Sequence, residues 1–252
     1  MWQGKSVSVV LPTYNEKDSV RQVVEDLLAT EVVDEVLVVN NNAAPGTSEA
    51  IAGSGAREVF ESRQGYGFAI RRGLHEAHGD YLVVCEPDGT FVARDIFKLL
   101  AYADDFDVVY GSRTARMLIW TGANMGLFLR WGNYVVAKLM EFLFNSISLT
   151  DVGCTLRLVN RSALEVMEPG FRIGGSAFGP EMMLLSLIHR LRIIQVPVNY
   201  LPRVGKSSVT GDPLRATMLG LWMISLILRY RLRRQPVAAS QHVGVPSANG
   251  RG

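Results

Sequence analysis

Short apolar runs recur along the first half of the chain, each running into a polar cluster and then a helix-forming stretch. They are Val7-Ser8-Val9-Val10-Leu11, Val36-Leu37-Val38-Val39, Tyr81-Leu82-Val83-Val84-Cys85 and Asp107 to Tyr110. Runs this short, rich in valine and bounded by Gly, Pro, Asn or Asp, read as strands buried on both faces. After the first of them, Val20, Val23, Val24, Leu27 and Leu28 repeat at helical spacing, behind an Asn15/Asp18 start signal. Weaker strands are expected at Arg57 to Phe60, Leu156 to Val159 and Ile193 to Val198. Helices are expected after Thr47, up to His78, over Asp95 to Tyr102, from Arg161, from Pro180-Glu181 and over Leu214 to Leu232. Such alternation predicts an α/β fold, a mostly parallel sheet with helices on both faces.

Every polar cluster then falls after a strand, on one edge of the sheet, where open α/β sheets bind ligands. The most informative is Glu86-Pro87-Asp88. Two carboxylates at a strand end can hold a divalent cation against a phosphate, since Mg²⁺ takes few protein oxygens and keeps phosphate and water. Pro-Asp-Gly is equally good turn chemistry, so the motif alone decides nothing. A dinucleotide site is excluded. The first strand-to-helix turn, Pro12-Thr13-Tyr14-Asn15-Glu16, has no glycine, and Gly65-x-Gly67 lacks the third one.

Residues 1–234 are expected to form one domain, followed by a small, polar, disordered tail at 235–252. A formal net charge of +2 is too small to suggest nucleic acid. Cys85 and Cys154 have no metal-ligand spacing and read as reduced thiols of a cytoplasmic protein; His75 and His78 read as surface histidines. No targeting segment is expected, and no run reaches the ~18 charge-free residues of a membrane span. Residues 116–149, with Trp120, Phe128, Trp131, Tyr134, Phe142 and Phe144 among Arg116, Arg130, Lys138 and Glu141, read either as core or as a helix pair lying in a bilayer interface. Residues 214–234 end in Arg229, Arg231, Arg233 and Arg234, which suit a helix C-terminus or anionic headgroups.

In their order these pieces resemble the inverting family-2 glycosyltransferases of GT-A fold, and most closely the dolichyl- or polyprenyl-phosphate mannose/glucose synthase branch. The likeness runs from about Ser6 to Arg234. It rests on V-S-V-V-L-P-T-Y-N-E at 7 to 16, the loop Asn40 to Thr47, Glu86-Pro87-Asp88 as the metal motif, Gly111-Ser112-Arg113, Asp151-Val152-Gly153-Cys154-Thr155, and Pro202-Arg203-Val204-Gly205.

The resemblance implies a metal-dependent hexosyltransferase that takes a nucleotide-diphosphate sugar of the GDP-mannose or UDP-glucose type. It implies that Pro12, Tyr14, Glu16, Asn40, Asn42 and Gly65, with Arg113, hold that donor. Asp88, helped by Glu86, would carry Mg²⁺ or Mn²⁺, and Arg203 and Lys206 would meet the acceptor's phosphate. The family commonly has aspartates where Asn40 and Asn41 stand, an aspartate at Glu86, and R-x-G-E-S-K where Arg203 to Ser208 runs. Polyprenyl phosphate is the expected acceptor, at the cytoplasmic face of a membrane and without a transmembrane anchor; a homo-oligomer is left open. One alternative is a hydroxyl acceptor with Glu181 or Asp151 as general base, since a hydroxyl must lose a proton and a phosphate anion need not. Asp88, Asp151, Arg113 and Glu181 are thus the candidate catalytic residues. Another alternative is a membrane-surface protein that binds nucleotide without turnover.

Overall fold

The computed structural model describes residues 1–123, 126–205 and 213–232. Lys206, the basic residues Arg233 and Arg234, and the tail at 235–252 lie outside the described residues. Seven strands form one sheet: β1 (Val7–Thr13), β2 (Glu35–Asn40), β3 (Arg57–Phe60), β4 (Tyr81–Val84), β5 (Val108–Ser112), β6 (Arg157–Asn160) and β7 (Ile193–Pro197). Their order is β3-β2-β1-β4-β6-β5-β7. All pairings are parallel except the two made by β6, which runs antiparallel between β4 and β5.

Side chains alternate between the two faces, as the strand's two-residue period requires. Val7, Val9, Leu11, Val36, Val38, Tyr81 and Val83 enter one core with α1 (Lys17–Leu28), α2 (Thr47–Ile51) and α4 (Ile96–Leu100). Val10, Leu37, Val39, Leu82 and Val84 enter the other. That second core is closed by α3 (Tyr66–Glu76), α5 (Leu127–Phe144), α6 (Arg161–Met167), α7 (Phe178–Ile188) and α8 (Pro213–Leu232).

Three local expectations change. Among the described residues of 116–149 there is one long helix, α5, and a 3₁₀ turn at Arg116–Leu118 instead of a helix pair. Helix α1 starts at Lys17 with no side-chain cap, because the Glu16 carboxylate turns back onto the amides of Tyr14 and Asn15, 2.8 and 2.9 Å away. The expected α4 helix is shorter, with a 3₁₀ turn at Ala93–Asp95 in front of it. The N-terminus of α3 is set by Gly65, whose φ is +150°; a Cβ there would stand 2.3 Å from the Gly174 carbonyl oxygen. Only glycine fits that crossing.

Candidate active site

The carboxyl ends of β1, β2, β4 and β5 open on a cavity of about 350 Å³. Strand order reverses beside β1, whose neighbours are β2 on one side and β4 on the other, and such a reversal leaves a crevice above the sheet. Into it face the turn Pro12 to Glu16 from β1, Asn41 beyond β2, Gln64 beyond β3, Glu86 to Asp88 from β4 and Arg113 from β5. Tyr200 and Arg203, beyond β7, close the far side.

Asp88 is 1% exposed. Its Oδ1 accepts from the Thr90 amide at 2.9 Å and the Thr90 hydroxyl at 2.6 Å, which fixes the carboxylate plane. Its Oδ2 is buried and receives no hydrogen bond, yet lies 2.6 Å from an Arg203 guanidinium nitrogen. The same nitrogen donates to Glu86 Oε2 at 3.1 Å. Burial, reinforced by the neighbouring Asp88 charge, pushes the Glu86 carboxyl up to about 8. Two acidic side chains thus converge on one point, with a single arginine nitrogen between them. No group of three or more His, Cys, Asp or Glu suited to a metal occurs among the described residues. Two carboxylates, one with an oxygen lacking a donor, still fit a hard divalent cation that draws its remaining ligands from phosphate and water.

Arg113 and Asp151 form a buried pair. The carboxylate accepts from the Arg113 amide at 3.0 Å, Nε at 2.9 Å and a terminal nitrogen at 3.0 Å, and from the Gly153 amide at 2.9 Å. Burial opposes both charges, but each outweighs that for the other: the Asp151 carboxyl is held below its usual range and the Arg113 guanidinium above its own. The guanidinium also lies 5.1 Å from the Tyr200 ring centroid. Arg113 lines the cavity and Asp151 does not.

Glu181 is likewise fully buried. It accepts from the amides of Arg172 and Ile173, and the Tyr230 hydroxyl donates to it at 2.6 Å, tying α8 to the start of α7. Neither carboxylate offered as a general base reaches the cavity; both are occupied holding backbone and neighbouring side chains.

On the nucleoside side, Pro12, Tyr14 and Glu16 face the cavity, whereas Asn40 and Asn42 do not. The Asn40 amide donates to Glu58 at 2.9 Å, and its oxygen accepts from the Ala43 amide at 2.9 Å. Asn42 donates to the Ser62 carbonyl and to Gln64, both at 3.1 Å. Asn41 takes their place on the wall: it donates to the carbonyls of Glu61 and Arg63 and accepts from the Gly65 amide at 2.8 Å. Gly65 contributes its conformation and that amide rather than a lining surface.

Tyr66, Tyr200 and Gln64 also line the cavity, although no sequence motif singled them out for it, and so does Thr155 at the end of the 151–155 motif. The Tyr66 and Thr155 hydroxyls are buried without a partner. Tyr66 lies between Gly65 and Gly67, where a bulky residue in a glycine turn was the one available signal.

A second cavity of about 450 Å³ continues from the first. Tyr66, Arg113, Gly153, Thr155, Ser176, Tyr200 and Leu219 belong to both walls. Its further lining is largely apolar and comes from α5, α7 and α8, including Trp131, Val136, Pro180, Met223 and Ile224. Around its mouth and beyond it, Trp131, Val135, Phe142, Leu221 and Leu228 are exposed along α5 and α8, with Phe142 at 83%. Arg229 and Arg231 follow in the last turn of α8. No described helix is long and apolar enough to cross a membrane.

The family model described as glycosyl transferase family 2 matches residues 8–167. Over 214 residues the chain is 28% identical to the low-salt glycan biosynthesis hexosyltransferase Agl6 of Haloferax volcanii; the match covers 82% of this chain and 51% of that protein, so the chain spans about half that relative's length. Over 231 residues it is 28% identical to the dolichyl-phosphate hexose transferase of the same organism, covering 90% of this chain and 96% of the relative. The fold superposes with a TM-score of 0.71 on glucosyl-3-phosphoglycerate synthase from Mycobacterium tuberculosis, crystallised with Mn²⁺, UDP-glucose and phosphoglyceric acid. There the identity is 19%, over 90% of this chain and 80% of that one.

Proposed function

Because the chain belongs to glycosyl transferase family 2, we propose that it moves a hexose from a nucleoside-diphosphate sugar to a polyprenyl phosphate, with inversion at the anomeric carbon. The carrying observation is the continuity of the two cavities. A site rimmed by Arg113 and Arg203 opens directly into a largely apolar space between α5, α7 and α8. A phosphate with an apolar tail matches that sequence of surfaces. A hydroxyl acceptor would need a base, and Asp151 and Glu181 are both occupied elsewhere. The dolichyl-phosphate activity in a relative's name supports the same acceptor class, and the Mn²⁺ and Mg²⁺ complexes of structural neighbours support a divalent cation.

In this reaction an acceptor phosphate oxygen attacks the anomeric carbon from the face opposite the leaving group. The new carbon–oxygen bond forms as the bond to the donor's β-phosphate oxygen breaks, and the electron pair departs with the diphosphate. Asp88 and Glu86 are the residues that would hold Mg²⁺ or Mn²⁺, which would supply Lewis-acid stabilisation of that leaving charge. Arg113 adds a fixed guanidinium, oriented by Asp151, in a site where buried donors act more strongly than in water. Tyr14, exposed at 46% on the β1 turn, offers a ring for the base.

Incubation with labelled UDP-glucose or GDP-mannose, a short polyprenyl phosphate and Mn²⁺ should give an organic-extractable glycolipid. Transfer to phosphoglycerate or to a soluble alcohol instead would overturn the acceptor assignment. Nucleotide binding with no transfer to any acceptor would favour the non-catalytic alternative.

The exposed apolar side of α5 and α8, next to Arg229 and Arg231, is proposed to rest on the surface of an anionic membrane. Phe142→Glu is expected to weaken sedimentation with phosphatidylglycerol vesicles by about tenfold or more, since burying a phenylalanine contributes roughly 2 kcal/mol. Thermal stabilisation by nucleotide should be unchanged in that variant. Undiminished vesicle binding would place the membrane contact elsewhere.

A further inference from the structure

Arg203 is placed by the turn it neutralises. The Val204 amide donates to the Asp88 carbonyl at 2.9 Å and the Leu201 amide to the Thr90 carbonyl at 2.8 Å, so the 201–204 backbone is fastened to the segment that carries Asp88. From there one guanidinium nitrogen meets Asp88 Oδ2 at 2.6 Å and Glu86 Oε2 at 3.1 Å. No other ion pair among the described residues involves either carboxylate. The contact to Asp88 lacks hydrogen-bond geometry, since Oδ2 receives no aligned N–H. It is a pairing of charges rather than an aligned hydrogen bond.

We propose that Arg203 is the resident counter-ion of the acidic pair, displaced by the divalent cation, and that the diphosphate makes the exchange favourable by giving Arg203 a new partner. This rests on the donor-site reading given above. A monovalent guanidinium and a divalent ion cannot share one point between two carboxylates, because their mutual repulsion at contact distance is large in a partly buried site. With no nucleotide present, a metal ion must push Arg203 off both carboxylates and leave it unpaired. When a diphosphate is bound, the planar guanidinium has phosphate oxygens to bridge, a geometry it suits better than a single carboxylate oxygen. Metal and diphosphate therefore bind together, each tightening the other by the same factor, as linkage requires. Arg203 serves the site twice, first keeping the acidic pair neutralised and then gripping the diphosphate, so that free metal does not load an empty pocket.

The test is Mn²⁺ binding, read by calorimetry or by the electron paramagnetic resonance of free Mn²⁺, with Mn²⁺ alone and with UDP or GDP. Wild-type protein should bind Mn²⁺ weakly alone and at least about tenfold more tightly with the matching diphosphate, as coupled sites do. Arg203→Gln should bind Mn²⁺ alone about tenfold more tightly than wild type, because its competitor is gone, and the gain from diphosphate should shrink. Arg203→Lys, which keeps a cation, should stay near wild type. The wild-type comparison with and without diphosphate needs no variant: equal Mn²⁺ affinity in the two conditions would overturn the proposal. So would an Arg203→Gln protein that binds Mn²⁺ alone no better than wild type while wild type binds the Mn²⁺–diphosphate pair; the donor site would then stand and the role of Arg203 would not. If wild-type protein failed to take up Mn²⁺ even in the presence of UDP or GDP, the donor-site reading itself would fall and carry this proposal with it.

Discussion

Asp88→Asn is expected to lower sugar transfer by about a thousandfold or more, and to abolish Mn²⁺-dependent thermal stabilisation by UDP or GDP. The size follows from what the carboxylate is proposed to do. Removing one preorganised group that stabilises charge in a transition state costs about 10² to 10³ in rate, and loss of the metal removes a larger charge than a single donor. The asparagine is nearly isosteric and can still accept from Thr90, whose amide and hydroxyl hold Oδ1 at 2.9 and 2.6 Å. A folded protein that has lost metal-assisted nucleotide binding is therefore the expected product. Differential scanning fluorimetry with nucleotide, with and without Mn²⁺, reads the effect separately from turnover. A variant that kept a full Mn²⁺-dependent shift would show that the cation binds elsewhere, and Asp88 would then be no more than the Asx turn that Pro87-Asp88-Gly89 also suggests.

The sheet was legible because its strands are buried on both faces. Runs such as Val7 to Leu11 and Tyr81 to Cys85 are apolar at nearly every position, a pattern that a half-exposed helix does not share. The antiparallel strand β6 was not legible as such. Its residues Arg157–Asn160 carry nothing that encodes direction; direction comes from the long excursion through α5 that brings the chain back between β4 and β5. The single long helix of the 116–149 region was not legible either, its residues reading as core or as a helix pair. Apolar residues at Met117 to Trp120 look continuous with those of α5, yet this first part leaves helical geometry to bridge with Tyr200 beside β7.

The site was legible where chemistry is confined to a strand end and obscure where backbone bonds decide. Asp88, Glu86, Arg113 and Arg203 do meet at one cavity. Neighbouring asparagines, by contrast, cannot be ranked from sequence: Asn40, Asn41 and Asn42 differ only in which loop carbonyl lies within reach, and that depends on the course of 58–65. Gly65 looked like part of a ligand loop, but its lack of a Cβ answers the close approach of Gly174. Asp151 and Glu181 illustrate the same limit. A carboxylate beside glycines or at a helix start looks reactive until its acceptor sites are counted, and here amide donors and an arginine or a tyrosine already occupy them.

Asp151→Ala should therefore act on stability before it acts on chemistry. The carboxylate is fully buried, and its partner Arg113 has only 11% of its side chain exposed. Deleting one member of such a pair leaves a buried charge without compensation, at a cost of about 3–5 kcal/mol. For a chain of this size that corresponds to a fall of roughly 10 °C in Tm. Asp151→Asn should lose less, because its oxygen can still accept one Arg113 nitrogen, and in neither variant should Arg113 keep its place on the cavity wall. The pH dependence has a definite sign. A carboxyl held below its usual range in the folded protein stabilises it above the unfolded value of about 4, and that contribution is lost as pH falls through the folded value. The wild type should consequently lose stability on acidification below about pH 4 more steeply than Asp151→Asn, which has no proton to take up there. Thermal melts of both proteins between neutral and acidic pH measure the difference. A general base would behave in the opposite way, with Asn leaving the melting temperature alone at every pH while erasing transfer, and that result would restore the hydroxyl-acceptor mechanism.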